Sequence, residues 1–220
     1  MNVVFDLGAV LLAWEPTRLV QTHLAQHAPT EAAAAALGRA LFHHEDWTSF
    51  DCGTRTLDDA IARMAARLSL PADRLDAMLG NLGERLEAIE VTVDMLEQLF
   101  AHREAGQPLR LYYLSNMPAP YARAVERRHA FMRRFDGGVF SGDVKFIKPD
   151  REIFEVLAVR HALDPAETVF IDDSAANVEA ARAFGWQAIH CTAPDMLPAQ
   201  LSRYLPVSTT LSASKPRLRA

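Results

Sequence analysis

The spacing of apolar positions changes twice along the chain, and the changes mark off three stretches. Val3-Val4-Phe5 is a run of strand formers ending in Asp6, with Gly8 two residues on to let the backbone turn; this predicts a buried strand that delivers a carboxylate into a loop. From Trp14 to about residue 88 the spacing is helical. Thr30 reads as the N-cap of a helix over Glu31 to Phe42, and Thr56-Leu57-Asp58-Asp59 as a capping box with Asp in place of Glu. Leu57, Ile61, Met64, Ala65 and Leu68 then form one buried face, and Pro71 closes that helix and opens another to about Leu82.

From Val91 helices and strands alternate. A helix carrying Met95, Leu96, Leu99 and Phe100 stops at Gly106, and a strand from Leu109 to Leu114 delivers Ser115 and Asn116. Pro118 to Phe135 reads as one helix broken by Gly137-Gly138, followed by a short strand Val139-Phe140-Ser141. Pro149 is placed to open a helix whose inner face holds Ile153, Phe154, Leu157 and Ala158. A strand ends in Asp172, Ser174 and Gly185 bound the next helix, and Gln187 to Cys191 is the last strand. Such alternation implies a parallel sheet with right-handed crossovers. The expected organisation is α/β: a Rossmann-like core from residues 1–13 and 89–206, a helical bundle over 14–88 inserted in it, and a disordered tail over 207–220.

Composition narrows the function. Half of the 220 residues are hydrophobic, enough for a sizeable core. The net charge of −5 and the absence of a basic stripe interleaved with aromatics argue against nucleic acid and for a small soluble substrate. Cys52 and Cys191 are far apart and outside any CxxC spacing, which argues against a disulfide scaffold or a zinc site and for a reducing compartment. No window approaches the roughly 20 apolar residues of a membrane span, so a cytoplasmic protein without membrane contact is expected. Monomer and homodimer remain equally open.

Ligands of open parallel sheets bind outside the carboxyl ends of the strands, so Asp6 and the pair Asp172-Asp173 should share one crevice. Three crowded carboxylates repel unless a cation is bound, and oxygen ligands suit a divalent metal. The order Asp6-Leu7-Gly8-Ala9-Val10, Leu114-Ser115-Asn116, Lys148-Pro149 and Ile171-Asp172-Asp173 resembles the four motifs of haloacid dehalogenase-like hydrolases over residues 1 to about 192, the inserted bundle resembling their small cap. That resemblance implies a phosphatase acting on a small phosphorylated metabolite through an aspartyl-phosphate. Asp6 would be the nucleophile, and Mg²⁺ would be held by Asp6, the carbonyl of Gly8 and Asp172, with Asp173 direct or through water. Ser115, Asn116 and Lys148 would hold the phosphate, and Asn177 would brace the metal-bound acids. Asp143 is placed to pair with Lys148.

One position departs from the pattern. Many phosphatases of the family carry a second aspartate two residues after the nucleophile as general acid and base, and here it is Gly8. A metal-independent 2-haloacid dehalogenase, which needs no such acid, and a catalytically impaired binding or regulatory member are therefore the alternatives. In a phosphatase the loss implies either a substrate with a good leaving group, the preferred expectation, or an acid from the cap, for which His43 and His44 are the nearest in type. Substrate contacts are expected from Phe42-His43-His44-Glu45-Asp46-Trp47 and Phe50-Asp51-Cys52-Gly53, His44 and Trp47 foremost, although Trp47 and Phe50 read equally well as bundle core.

Overall fold

The computed structural model describes residues 1–206 together with Thr209 and Leu211, so the expected tail lies outside the described residues apart from those two. The chain begins with β1 (Asn2–Phe5) and continues through α1 (Pro16–His23), α2 (Glu31–Phe42), α3 (Glu45–Asp51), α4 (Leu57–Leu68), α5 (Ala72–Leu79) and α6 (Leu82–Arg85). There follow α7 (Glu90–Glu104), β2 (Arg110–Ser115), α8 (Ala119–Arg128), β3 (Gly137–Phe140), α9 (Ser141–Val144) and α10 (Arg151–His161). The last elements are β4 (Thr168–Asp172), α11 (Ala175–Phe184), β5 (Gln187–His190) and α12 (Leu197–Leu201).

The five strands form one sheet in the order β3-β2-β1-β4-β5, every pair parallel. β1 is central and buried on both faces, as its run of strand formers requires. Successive side chains alternate between two apolar layers. Val3 and Phe5 belong to the same apolar cluster as Met95, Leu96, Leu99 and Phe100 of α7, whereas Val4 belongs to the other with Ile153, Phe154 and Leu157 of α10 and Val178 of α11. Because the chain works outward through β2 and β3 and then crosses back to β4 and β5, the strand order reverses beside β1, and the crevice at that reversal opens at Asp6.

Helices α1 to α5 pack on one another, and their apolar residues join the first layer, so one cluster runs from Phe5 and Leu11 through Leu41 and Trp47 to Met64 and Leu75. The segments that leave and re-enter the sheet lie side by side: Ala13 N–H donates to Glu87 O at 2.7 Å and Ile89 N–H to Leu11 O at 2.9 Å. The Thr30 and Thr56 hydroxyls accept from Ala33 and Asp59 N–H, each at 3.2 Å, as the caps predict.

Several boundaries differ from expectation. The helix expected over Pro118 to Phe135 is two pieces: His129 is extended, its buried ring bonded to Leu86 O at 2.9 Å, and a 3₁₀ turn follows over Ala130–Arg134. Gly137 and Gly138 lie within β3, where a Cβ on Gly138 would meet the Tyr113 ring at 2.4 Å. The helix after Lys148 starts at Arg151, Ser174 caps α11 by position without a side-chain bond, and the Pro71 helix breaks at Gly80-Asn81. After Asp6 it is Ala9, at φ 55°, that takes the left-handed turn expected of Gly8. Among the described residues no helix is long and apolar enough to cross a membrane.

Candidate active site

Three adjacent strands bring their last residues to one edge of the sheet. Asp6 directly follows β1, its N–H donating to Ile171 O at 2.8 Å and its Oδ1 accepting from Leu7 N–H at 2.7 Å. Ser115 ends β2 and Asp172 ends β4. Lys148 enters from the loop before α10 with its side chain buried, and its Nζ stands 2.9 Å from Asp6 Oδ1 and 2.6 Å from Asp172 Oδ2. That loop is held by Asn116, whose Nδ2 donates to Lys148 O at 2.9 Å and whose Oδ1 accepts from Lys148 N–H at 2.8 Å. Asn116, expected on the phosphate, therefore spends its amide on positioning the lysine.

Burial sets the protonation states. Desolvation, with Asp172 and Asp173 adding to it, pushes the Asp6 carboxyl up to about 7 against the opposing pull of Lys148. Burial alone would depress Lys148, but Asp172 and Asp6 outweigh it and hold the ammonium above its usual value. Burial and Asp172 also raise Asp173.

The two neighbouring acids are not equivalent. Asp172 is fully buried; its Oδ1 accepts from Ser174 N–H at 2.8 Å, and Asn177 Nδ2 reaches both oxygens at 3.0 and 3.1 Å. With Lys148 on Oδ2 as well, this carboxylate is engaged throughout, and Asn177 braces it as the resemblance implied. Asp173 is exposed and faces the cavity. Of the two, Asp173 has the freer oxygens.

Oxygens of Asp6, Asp172 and Asp173 lie within 4.8 Å of one another. An all-carboxylate set of this size, with the backbone of Gly8 in the same wall, fits a hard divalent cation such as Mg²⁺.

The cavity at these groups has a volume of about 260 Å³ and a mixed lining. Asp6, Ser115, Lys148 and Asp173 supply its polar lining; Trp14, Phe42, Trp47, Leu82, Leu86 and Tyr121 supply aromatic and aliphatic lining. Trp47 is packed with Phe42, Phe50 and Trp14 and also belongs to the cavity lining. A larger cavity of about 450 Å³, between Arg55, Arg127 and Lys145, contains none of the acids and is set aside as a reaction site.

Two expectations are corrected. His44 caps α3, its Nδ1 3.2 Å from Asp46 N and 3.0 Å from Asp46 Oδ2, and it is His43 that lines the cavity. Asp143 pairs with Arg123, not with Lys148.

Sequence reasoning also missed the chemistry of Asp51. This last residue of α3 is buried, lines the cavity, and has its carboxyl raised well above the usual range by desolvation, with Asp6 adding to that and the Trp47 hydrogen bond opposing it. A carboxylate one helical turn after Trp47, on an apolar face, was the available signal.

Comparison with known proteins gives the family and the fold. The model of the haloacid dehalogenase-like hydrolase family matches residues 1–185. The sesquiterpene phosphatase astK of Aspergillus oryzae is 28% identical over 86% of this chain and 88% of its own length. The drimenol cyclase drtB of Aspergillus calidoustus is 27% identical over 91% of this chain, which spans 35% of that protein. An HAD family enzyme of Bacteroides thetaiotaomicron, solved in complex with magnesium and inorganic phosphate, superposes with a TM-score of 0.64 at 21% identity, covering 86% of this chain and 92% of that one.

Proposed function

Since the chain belongs to the haloacid dehalogenase-like hydrolases, we propose that it is a Mg²⁺-dependent phosphatase, acting through Asp6 on a small phosphate monoester whose organic part is apolar. The observation that carries the reading is the meeting of Asp6, Asp172, Asp173 and Lys148 at one strand edge, in a cavity also lined by aromatic and aliphatic side chains. Attack on carbon needs no cation to screen the electrophile, whereas attack on a charged phosphoryl group does, and three carboxylates within 4.8 Å of one another suit one. Similarity to a sesquiterpene phosphatase supports both the reaction class and the apolar lining.

Asp6, unprotonated, attacks phosphorus in line with the departing oxygen. Lys148 and Ser115 hold the non-bridging oxygens, the lysine as a buried point charge, and Asn116 fixes the lysine backbone. Asp6, Asp173, Asp172 and the Gly8 carbonyl would hold Mg²⁺, which when bound neutralises charge between the carboxylate and the phosphoryl group. Helices α1 to α6 serve as the cap, excluding water and holding the organic group. The two free cysteines suit a reducing compartment.

The test is turnover of p-nitrophenyl phosphate with Mg²⁺ and with EDTA, beside halide release from 2-chloropropionate. Mg²⁺-dependent nitrophenol release supports the proposal; halide release in EDTA without phosphatase activity overturns it.

A further inference from the structure

We propose that Asp51 is the general acid and base of this site, delivered from the helical insert in place of the carboxylate missing at Gly8. The inference rests on the phosphatase reading and adds a catalytic residue to it. Asp51 lines the same cavity as Asp6, Ser115 and Lys148, but comes from α3 of the helical insert and not from the sheet. A nucleophile entering from the sheet expels its leaving group toward the opposite side, where a carboxyl can meet it.

The end of α3 is fixed to the sheet and not merely laid over it. Ser141 Oγ donates to Asp51 O at 2.6 Å and accepts from Met117 N–H at 2.8 Å, so the Asp51 backbone and the loop just beyond Ser115 share one hydroxyl. Lys145 Nζ donates to Gly53 O at 2.6 Å and to Gly142 O at 2.8 Å. Gly53, at φ 69°, approaches so closely that a Cβ would lie 2.7 Å from Gly142 O. Placement of this kind suits a group that must meet one atom.

The environment keeps Asp51 in the state the first step needs. Desolvation and the facing Asp6 charge favour the neutral carboxyl, while Trp47 and Lys148 pull less strongly the other way. The remaining ionisable neighbours in the cavity wall are His43, Tyr121 and Asp173. As Asp6 forms its bond to phosphorus and the ester P–O bond breaks, the Asp51 proton goes to the departing alkoxide, which leaves as the alcohol. The Asp51 carboxylate then takes a proton from water as the hydroxyl bonds to phosphorus. Hydrogen phosphate leaves, and Asp6 and protonated Asp51 are restored.

The experiment compares Asp51→Asn with wild type on a series of aryl phosphates from p-nitrophenyl to phenyl phosphate with Mg²⁺. A missing acid matters little to nitrophenolate but greatly to phenolate, so we expect phenyl phosphate turnover to fall about 10²-fold to 10⁴-fold and p-nitrophenyl phosphate turnover by less than about tenfold. Gly8→Asp in the Asp51→Asn background should flatten the dependence again; a Cβ at Gly8 lies 3.7 Å from the Trp14 Cβ, ordinary contact. A uniform loss across the series, parallel to wild type, would assign Asp51 a structural role and overturn the proposal. So would an unchanged series. Failure of wild type to hydrolyse any member with Mg²⁺ would instead overturn the phosphatase reading beneath it.

Discussion

Asp172 and Asp173 are neighbours in sequence, yet their surroundings give them different work. Lys148, Asn177 and the Ser174 N–H already occupy Asp172, so replacing it breaks a buried ion pair and strands the lysine between fewer charges. Asp172→Asn should therefore cost stability, about 3–5 kcal/mol in urea unfolding, along with activity. Asp173→Asn, at an exposed position, should leave unfolding nearly unchanged but raise the Mg²⁺ concentration for half-maximal turnover at least about tenfold. Equal losses of stability in the two variants would contradict the geometry. Asp6→Asn should abolish turnover without lowering the melting temperature of the metal-free protein, because it removes a charge that burial disfavours. More than a few per cent of residual activity would sink Asp6 as nucleophile.

At the scale of elements, the join between α3 and the sheet combines the Lys145 ammonium on Gly53 O with a buried Ser141 hydroxyl on Asp51 O. Ser141→Ala removes the donor to Asp51 O and leaves the Met117 N–H without its acceptor, in a place water does not reach. A cost of about 1–3 kcal/mol is expected, measured by urea denaturation, with the aryl phosphate series steepening as Asp51 loses its anchor. That join also marks how far the sequence could be read. β1 and β4 were legible because each is a short run of strand formers ending in a carboxylate, and α2 and α4 because Thr30 and Thr56 cap them. Their convergence followed from the strand order that alternation implies. The work of Asp51 was not legible, since it depends on a bond to a residue 90 positions away and on which face of α3 docks. The bonds of Asn116 to the Lys148 backbone are not legible for a similar reason: the partner is 32 residues distant, and nothing local marks an amide that holds a loop. At β3 the glycines read locally as punctuation, because the Tyr113 ring that excludes a side chain at Gly138 belongs to another strand.

For the molecule as a whole, the acids that make the site reactive make the metal-free fold sensitive to pH. A carboxyl whose native pKa lies above its unfolded value keeps a proton that the unfolded chain has lost, so it favours the native state below the unfolded value, and that advantage drains away as pH rises through the native one. For Asp6 the window runs from about 4 to about 7, and Asp51 and Asp173 act in the same direction. His23, His129 and His161, held below their usual value by burial, act oppositely as pH climbs toward 6.5. The informative quantity is thus the difference between wild type and Asp6→Asn: in EDTA the wild-type melting temperature should fall relative to the variant between pH 5 and pH 8. Mg²⁺ competes with the proton for the same oxygens, so its stabilisation should be small at pH 5 and largest at pH 8. At a hundredfold excess over its dissociation constant that stabilisation is about 2.7 kcal/mol, or roughly 5–10 °C in a chain of this size. A Mg²⁺ shift independent of pH, or one retained in full by Asp6→Asn, would place the cation away from the nucleophile and separate the metal from the chemistry assigned to this edge of the sheet.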